Sequence, residues 1–327
     1  MRNHKQIVDE ISSKKFSEFL IENNKKALKY YNSDLGFGDF KNSIEDAKNM
    51  SSEQIFKICD QFFTYDKIQK IIAQEAECAA ISPFYGSSFQ PLDGGFFSGI
   101  VAASTDTFTA ILMTVHGYEV EVAKRRMAGD RRTLSFGGVD TYVRVYKSNQ
   151  LKIRKWRIPE FTDSDDLTVK PMPLVDLGVV CFTDDDRMHL DVSESFEYCC
   201  EAGASGLVLQ IQMHQNGRPM GLEFDYDTGK LVGASSTSQE PTRLQMLATA
   251  MRIFDRQDAF ADVLQLTKHP LHFVRWHAMR ECLGLDAQRA LTRLQVMSEH
   301  DPQPSVRRAA NQTLERFFPE FTAIAAE

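Results

Sequence analysis

The stretch VDTYVRVYKSNQLKIRKWRI, residues 139–158, decides how the rest of the chain is interpreted. In its first half, apolar or β-branched residues alternate with polar ones, at Val139, Thr141, Val143 and Val145. Alternation is typical of a strand with one buried face, because successive side chains point to opposite faces of a sheet. After turn residues at 148–150 the pattern resumes from Leu151 and shifts by one position at 154–155, which predicts a β-bulge. We therefore expect two consecutive strands.

Similar patterns recur from residue 107 to residue 238, and turn residues such as Asp227-Thr228-Gly229 separate them. One of the predicted strands carries Tyr118, Val120 and Val122. Eight or nine short strands with no helix between them predict an antiparallel sandwich of the jelly-roll kind. The stretch before this block, residues 82–106, is rich in glycine and aromatic residues and is predicted to be a long loop.

Residues 1–81 are predicted to form a separate helical segment. Apolar residues recur at helical spacing over residues 5–31, and a second, longer helix runs toward Ala80. Ser51 and Gln54 have the spacing of a capping box, which predicts that the second helix begins there. The overall prediction is an α+β fold with N-terminal helices, a central β sandwich and further helices over residues 239–327.

The C-terminal part contains an internal repeat with an offset of 32 residues. The matching positions are His269-Pro270 with Asp301-Pro302, Val274-Arg275 with Val306-Arg307, and Ala278 with Ala310. This turn, Val-Arg and small-residue pattern resembles that of HEAT-like repeats, which stack pairs of antiparallel helices. The resemblance implies a surface that binds a protein partner. A structural cap on the preceding helix is the alternative.

Composition and charge limit the class of protein. The chain of 327 residues has 43% hydrophobic and 25% charged residues, a net charge of −7 and a pI of about 5.7, as expected for an ordinary globular protein rather than a generally basic nucleic-acid coat. The sequence has no apolar stretch of membrane-spanning length and no targeting signal, so we expect a cytoplasmic protein with no membrane partner. The six cysteines form no C-x-x-C pair, and we expect reduced thiols rather than disulfides or a zinc site.

Charge is segregated within the β block. Residues 124–157 carry a local net charge of +9, and residues 160–201 carry −10. The basic stretch could bind a small anionic ligand or nucleic acid, and Arg144, Arg154 and Trp156 are the candidate ligand-binding residues in it. The alternative is that the two stretches pair with each other and neutralise their charges.

In size and strand rhythm the β block resembles cupins, which commonly hold a metal through an H-x-H pair, a glutamate and a later histidine. Here His116 has no second histidine at the expected spacing, and His189 is followed two positions later by Asp191. In a strand, His189 and Asp191 would share a face and supply two ligands of a facial triad for a divalent metal such as iron. His214 or His116 would supply the third ligand, and Asp184, Asp185 and Asp186 would add oxygen atoms. A solvated acidic turn is the alternative.

The sequence contains neither a phosphate-binding loop nor a nucleophile elbow, because Gly94-Gly95 and Gly203-Ala204-Ser205-Gly206 lack the required spacing. We therefore expect a ligand- or partner-binding regulatory protein. The alternative is a metal-dependent oxygenase of the cupin type acting on a small molecule or peptide. A second alternative is nucleic-acid binding through residues 124–157.

Overall fold

The computed structural model describes residues 14–81, 85–127, 132–161, 167, 171–215 and 217–319. The first residues of the first predicted helix, 5–13, lie outside this description. The N-terminal helices are α1 (Lys14–Lys29), which continues as a π-helical turn (Tyr30–Asp34), α2 (Phe37–Ser43), α3 (Ser52–Phe62) and α4 (Tyr65–Ile81). The predicted capping box is confirmed at the start of α3, where the Ser51 hydroxyl accepts from the Gln54 backbone and the Gln54 side chain accepts from the Ser51 backbone.

Strands occupy the middle of the chain. They are β1 (Gln90–Asp93), β2 (Phe97–Ser104), β3 (Phe108–His116), β4 (Thr133–Phe136), β5 (Asp140–Asn149), β6 (Lys152–Arg157), β7 (Val175–Cys181), β8 (Arg187–Leu190), β9 (Glu194–Tyr198), β10 (Ser205–Met213), β11 (Met220–Asp225) and β12 (Leu231–Ser236). One helix, α5 (Gly117–Met127), lies between β3 and β4. The α+β class is therefore confirmed.

Within the residues that the structure describes, the strands form three antiparallel sheets rather than one continuous layer. The main sheet has the order β1-β2-β3-β10-β5-β8, the β11 sheet the order β12-β11-β4, and the β6 sheet the order β7-β6-β9. The decisive stretch 139–158 does form two consecutive strands, but β5 belongs to the main sheet and β6 to the β6 sheet. Gln150, with φ of 57°, lies in the turn between them. The predicted irregularity is present as a register shift between Lys155 and Trp156.

The main sheet is buried on both faces. On β3, Phe108, Ala110 and Leu112 belong to a core shared with the N-terminal helices, whereas Met113 and Val115 belong to a core shared with the β6 sheet. Because side chains alternate across a strand, one face of the main sheet is covered by helices and the other by strands. A further cluster joins the β6 sheet to the β11 sheet, through Leu134, Phe136, Trp156, Ile158, Leu222 and Phe224.

Two sequence predictions are corrected, one within the β block and one in the stretch before it. Tyr118, Val120 and Val122 lie on helix α5 and not on a strand, and only Val120 of the three is fully buried. The residues from Glu121 to Met127 are mostly good helix formers and continue that helix. The short apolar alternation of residues 118–122 therefore did not produce a strand. The predicted loop at 82–106 contains the hairpin β1–β2, whose turn is made by Gly94 and by Gly95 with φ of 81°.

The C-terminal helices pack around a core of their own, and the helix pairs joined by the turns at 267–271 and 301–303 form two helical hairpins. They are α6 (Gln239–Ile253), α7 (Phe260–Leu266), α8 (His272–Leu285), α9 (Ala287–His300) and α10 (Pro304–Phe317). The two Val-Arg positions play the same structural part. Arg275 donates to the carbonyls of His269 and Pro270, and Arg307 donates to those of Asp301 and Pro302. Each arginine therefore holds the turn that precedes its own helix.

Within the described residues, none of the helices is both long enough and apolar enough to cross a membrane.

Candidate functional site

The four predicted metal ligands lie in different parts of the β block. His116 ends β3 and His214 follows β10, and these strands pair so that Ser205 lies opposite His116 while Met213 lies opposite Phe108. His116 and His214 are therefore at opposite ends of one strand pair, about 30 Å apart at about 3.3 Å per residue. His189 lies on β8 at the edge of the main sheet, on the face that is covered by helices. The structure does not bring these histidines together.

Each of these side chains has its own local environment. His116 Nε2 lies 3.2 Å from Thr114 Oγ1 and 3.4 Å from Ser98 Oγ. His214 Nε2 lies 3.0 Å from Thr109 Oγ1, and burial lowers the pKa of the His214 imidazole. Asp191 accepts hydrogen bonds from the Ser193 backbone and hydroxyl; burial by itself would raise its pKa, but these bonds lower it.

The acidic triplet is a turn whose carboxylates have partners within the protein. Asp184 accepts from Lys147 and from the Ser148 backbone, and Asp186 accepts from the Thr183 backbone. Asp185 has φ of 65° and pairs with an arginine of β5. Within the described parts of the chain, no three His, Cys, Asp or Glu side chains are positioned to share a metal ion. The structure therefore does not bring the four predicted ligands together, and a metal site at His189 and Asp191 stays a prediction.

His189 instead faces an open groove between helix α3 and strands β5 and β8, here called the α3 groove. Its volume is about 610 Å³. The lining residues come from α3 and from the two strands, and they are Ser52, Glu53, Phe56, Lys57, Asp60, Asp140, Tyr142, Arg187 and His189. This volume lies within the range of about 300–1,000 Å³ found for small-molecule sites.

One end of the α3 groove combines an imidazole, a carboxylate and two aromatic rings. His189 Nε2 lies 3.7 Å from Asp140 Oδ1, and 54% of the His189 side chain is exposed. Phe56 stacks on Tyr142 with 4.9 Å between ring centroids, and it meets the His189 ring edge-on at 5.7 Å. Burial, followed by the charge of Asp60, raises the pKa of Tyr142, so its hydroxyl stays protonated at neutral pH.

The other end of the groove is held by a network around Asp60 of α3. Arg144 donates to the Asp60 carboxylate at 2.9 Å and to the Asp60 carbonyl at 3.0 Å. Arg187 donates to the same carboxylate at 3.1 Å, and Asp185 accepts from Arg144 at 3.1 Å. Arg144, a predicted ligand-binding residue, therefore ties helix α3 to the sheet beneath the groove.

The other two predicted ligand-binding residues lie on the β6 sheet. Arg154 forms an ion pair with Asp176 at 3.5 Å. Trp156 donates to Glu197 at 3.3 Å and packs edge-on against Tyr226. The structure therefore places Arg154 and Trp156 near each other but separates both from Arg144, which belongs to another sheet.

The basic and acidic stretches of the β block pair with each other. The pairs are Arg132 with Glu197, Arg144 with Asp185, Lys147 with Asp184, Arg154 with Asp176, and both Lys155 and Arg157 with Glu194. Each of these cations comes from residues 124–157, and each of these carboxylates comes from residues 160–201. The segregation seen in the sequence is therefore largely neutralised by folding, which removes much of the charge that would attract nucleic acid.

Comparison with known proteins gives little guidance. Neither a protein-family model nor a curated protein sequence matches the chain. A solved structure of hydroquinone 1,2-dioxygenase PnpCD with Cd²⁺ and 4-hydroxybenzonitrile aligns with a TM-score of 0.24 and 11% identity, over 35% of this chain and 61% of that one. The chain thus spans less than two thirds of that protein.

Two further similar structures are functionally different from each other. Hydroxypropylphosphonic acid epoxidase from S. wedmorenis with fosfomycin aligns with a TM-score of 0.23 and 10% identity, over 53% of this chain and 95% of that one. An HTH_3 family transcriptional regulator from Vibrio cholerae aligns with a TM-score of 0.22 and 10% identity, over 60% and 98%. Scores this low carry no conclusion about function. None of the three supports the HEAT-like assignment of the C-terminal hairpins.

Sequence reasoning missed the residues that accompany His189. Asp140, Phe56 and Tyr142 belong to segments 47 to 133 residues away from it along the chain. The capping box at Ser51 located the start of α3, and the alternation located β5, but neither signal says that this helix lies across this strand. Only the docking of α3 on the main sheet makes the groove.

Proposed function

We propose that this protein is a ligand-binding regulatory protein, in which the α3 groove holds a small organic molecule and the C-terminal hairpins contact a protein partner. The observation that carries the ligand-binding part is the α3 groove itself, with Phe56 and Tyr142 stacked beside the His189–Asp140 pair. Aromatic surface combined with a few convergent polar groups is typical of small-molecule sites.

The lining residues suggest the chemistry of the ligand. Asp140 and Glu53 can accept hydrogen bonds from hydroxyl or amino groups, whereas Lys57 can bind a carboxylate or another anionic group. Arg187 is already engaged with Asp60. We therefore favour a ligand with an apolar or aromatic body that carries hydrogen-bonding groups and an anionic group.

The proposed architecture that supports this site is a cupin-like β sandwich. The main sheet would form one layer, and the β6 and β11 sheets would together form the other. The contact that favours a joint second layer is the hydrogen bond from the Ser195 hydroxyl on β9 to the Ser135 carbonyl on β4. In this arrangement the α3 groove lies on the outer face of the main sheet, under the N-terminal helices.

The test is a fragment screen by ligand-detected NMR on the wild type and on His189→Ala. His189 is more than half exposed, so its removal should leave the fold intact. We expect aromatic acids to bind the wild type and to lose most of their affinity for His189→Ala. His116→Ala, which removes an exposed imidazole at the end of β3 outside both the α3 groove and the C-terminal helices, is the matched control and should bind like the wild type. Fragments that bind both variants equally would contradict the proposal.

A metal-dependent oxygenase is the second candidate, and the His189–Asp140 pair is the observation that favours it. An imidazole and a carboxylate 3.7 Å apart at an open groove are two of the ligand types that a non-haem iron centre uses. The described residues supply no third ligand beside them, so the donor set does not make a complete site. Elemental analysis of the purified protein separates the candidates. Stoichiometric iron or another divalent metal that is lost in His189→Ala would favour the enzyme over the binding protein.

A further inference from the structure

A second groove lies between the two C-terminal hairpins, where the turn before α8 approaches the turn before α10. It has a volume of about 360 Å³ and is here called the hairpin groove. Its charged and titratable lining residues are Lys268, His269, Arg275, Arg293, His300 and Asp301. Three of them are permanent cations and one is an anion, so the lining carries an excess of positive charge at neutral pH.

The single anion in this lining is fully used by one of the cations. Arg275 donates from Nε to Asp301 Oδ2 at 2.8 Å and from Nη2 to Asp301 Oδ1 at 2.6 Å. Asp301 also accepts from the Gln303 backbone, and only 1% of its side chain is exposed. This bidentate pair is closed to solvent. Asp301 therefore has no free carboxylate oxygen for the remaining cations of the groove.

Arg293 and Lys268 are the cations left over. Arg293 donates to the Thr267 hydroxyl at 2.8 Å and to the Thr267 carbonyl at 2.7 Å, both of which are neutral acceptors. Over the described residues neither Arg293 nor Lys268 forms an ion pair with a carboxylate, in contrast to Arg144, Arg154 and Arg157 of the β block. Burial lowers the pKa of Arg293, and Arg275 adds to this effect while the charge of Asp301 opposes it without reversing it. A further anion in the groove would relieve this unfavourable environment.

The rest of the lining is apolar, and all of it except the buried Met297 is accessible. Val296 is 41% exposed, and Pro270 and Pro302 are exposed at the two turns. A ligand that covers these residues needs hydrocarbon as well as negative charge. A glutamate side chain has both, because two methylene groups separate its carboxylate from the backbone, whereas a bare phosphate ion has only charge.

We propose that the hairpin groove binds a glutamate-rich segment of a protein partner, with Arg293 and Lys268 contacting its carboxylates and Val296 its methylene groups. This inference rests on the partner-contact part of the proposed function and specifies the chemistry of the partner. It is independent of what binds in the α3 groove.

The experiment uses the full chain and a fluorescein-labelled peptide of about twelve residues in which glutamate alternates with alanine. Binding is followed by fluorescence anisotropy at about 50 mM salt, where exposed charges are only partly screened. We expect saturable binding that weakens about tenfold in Lys268→Gln and in Arg293→Gln. Arg280→Gln is the charge-matched control, because Arg280 is exposed on α8 outside the groove, and its affinity should stay within about twofold of the wild type.

Lys268→Gln keeps the test valid if Arg293→Gln loosens the turn at Thr267, because Lys268 makes no side-chain hydrogen bond within the described structure. Equal affinity of the wild type and Lys268→Gln for the peptide would overturn the inference. So would equal binding of a peptide with glutamine in place of glutamate, or displacement of the peptide by an equal concentration of inorganic phosphate. His189→Ala should bind the peptide with the affinity of the wild type. Peptide binding in the hairpin groove and ligand binding in the α3 groove can therefore fail independently, and the two are measured separately.

Discussion

Two arginine–aspartate pairs hold helices in place in different parts of this molecule, and their side chains differ in solvent exposure. Arg275 and Asp301 join two turns of the C-terminal hairpins and are 8% and 1% exposed. Arg144 and Asp60 join helix α3 to the main sheet, and Asp60 is 23% exposed at the end of the α3 groove and shared with Arg187.

This difference in solvent exposure distinguishes a pair that supports the fold from a pair that also borders a candidate binding site. A closed, bidentate pair whose oxygens are all used has no group left for a ligand, so its role is structural. A pair at the edge of a groove, with a carboxylate shared by two arginines, can also shape a surface that a ligand reaches. By the same reasoning Lys268 and Arg293, for which the described residues supply no carboxylate partner, are better candidates for contacting a partner than the paired cations of the β block.

Breaking the closed pair should have the largest effect. Asp301→Ala leaves the Arg275 guanidinium buried without a counter-charge, and we expect a loss of about 3–5 kcal/mol in the free energy of unfolding. Urea denaturation followed by circular dichroism measures this loss. Asp258→Ala, which breaks the exposed pair with Arg256, is the control and should leave stability unchanged. Equal midpoints for the two variants would show that the pair is not a structural tie.

Breaking the open pair, Arg144 with Asp60, should lower the free energy of unfolding by a smaller amount. Arg144→Ala removes hydrogen bonds to Asp60 and Asp185, but Arg187 still compensates Asp60, so we expect a loss of about 1.5–3 kcal/mol. The same denaturation experiment applies. Lys147→Ala, on the same strand but in an exposed pair with Asp184, is the control. A larger loss for Arg144→Ala than for Asp301→Ala would reverse the comparison.

Removing the N-cap of α3 should have a smaller effect on stability, but it should also change the affinity of the α3 groove for its ligand. Ser51→Ala removes the side-chain acceptor for the Gln54 backbone, which should cost about 1 kcal/mol. Because Ser52 and Glu53 of the first turn line the α3 groove, ligand affinity should fall as well. Gln54→Ala removes only the reciprocal bond and should have the weaker effect on both measurements. Unchanged affinity in Ser51→Ala would mean that the first turn does not shape the groove.

The smallest effect concerns His214, at the end of β10. Its pKa is lowered by burial, so the unfolded chain binds a proton at this position more readily than the folded protein. Stability should therefore fall as the pH decreases from 7 to 5, through the unfolded pKa of about 6.5. His214→Gln should weaken this dependence, measured as the difference between denaturation midpoints at the two pH values. The exposed His116, in His116→Gln, is the control, and an equal change in both variants would contradict a specific role for His214.

Local signals in the sequence predicted local structure well. The alternation of residues 139–158 predicted β5 and β6, and Ser51 with Gln54 predicted the start of α3. The 32-residue repeat predicted that Arg275 and Arg307 occupy equivalent places, and both indeed hold the preceding turn. The exceptions were the hairpin β1–β2 within the predicted loop, and α5, where a short alternation was overridden by the helix propensity of the residues that follow it.

The candidate site could not be predicted in the same way. His189 and Asp191 suggested a metal centre because they are close in sequence, yet the carboxylate nearest to the His189 ring nitrogen in the groove is Asp140, on the neighbouring strand. Strand pairing places Tyr142 opposite His189, and alternation then puts Asp140 on the same face of β5. That register depends on which strands become neighbours, and no local pattern specifies it.

By itself, the sequence determined the α+β class, the strands of residues 139–158, the start of α3 and the equivalence of Arg275 and Arg307, because these properties depend on residues within one or two turns or strands of each other. The tertiary structure decided that the Asp184–Asp191 segment is an edge strand and its turn, that the basic and acidic stretches neutralise each other, and that His189 faces helix α3. These outcomes depend on contacts between residues far apart in the chain, and only burial of the shared core chooses among the possible contacts.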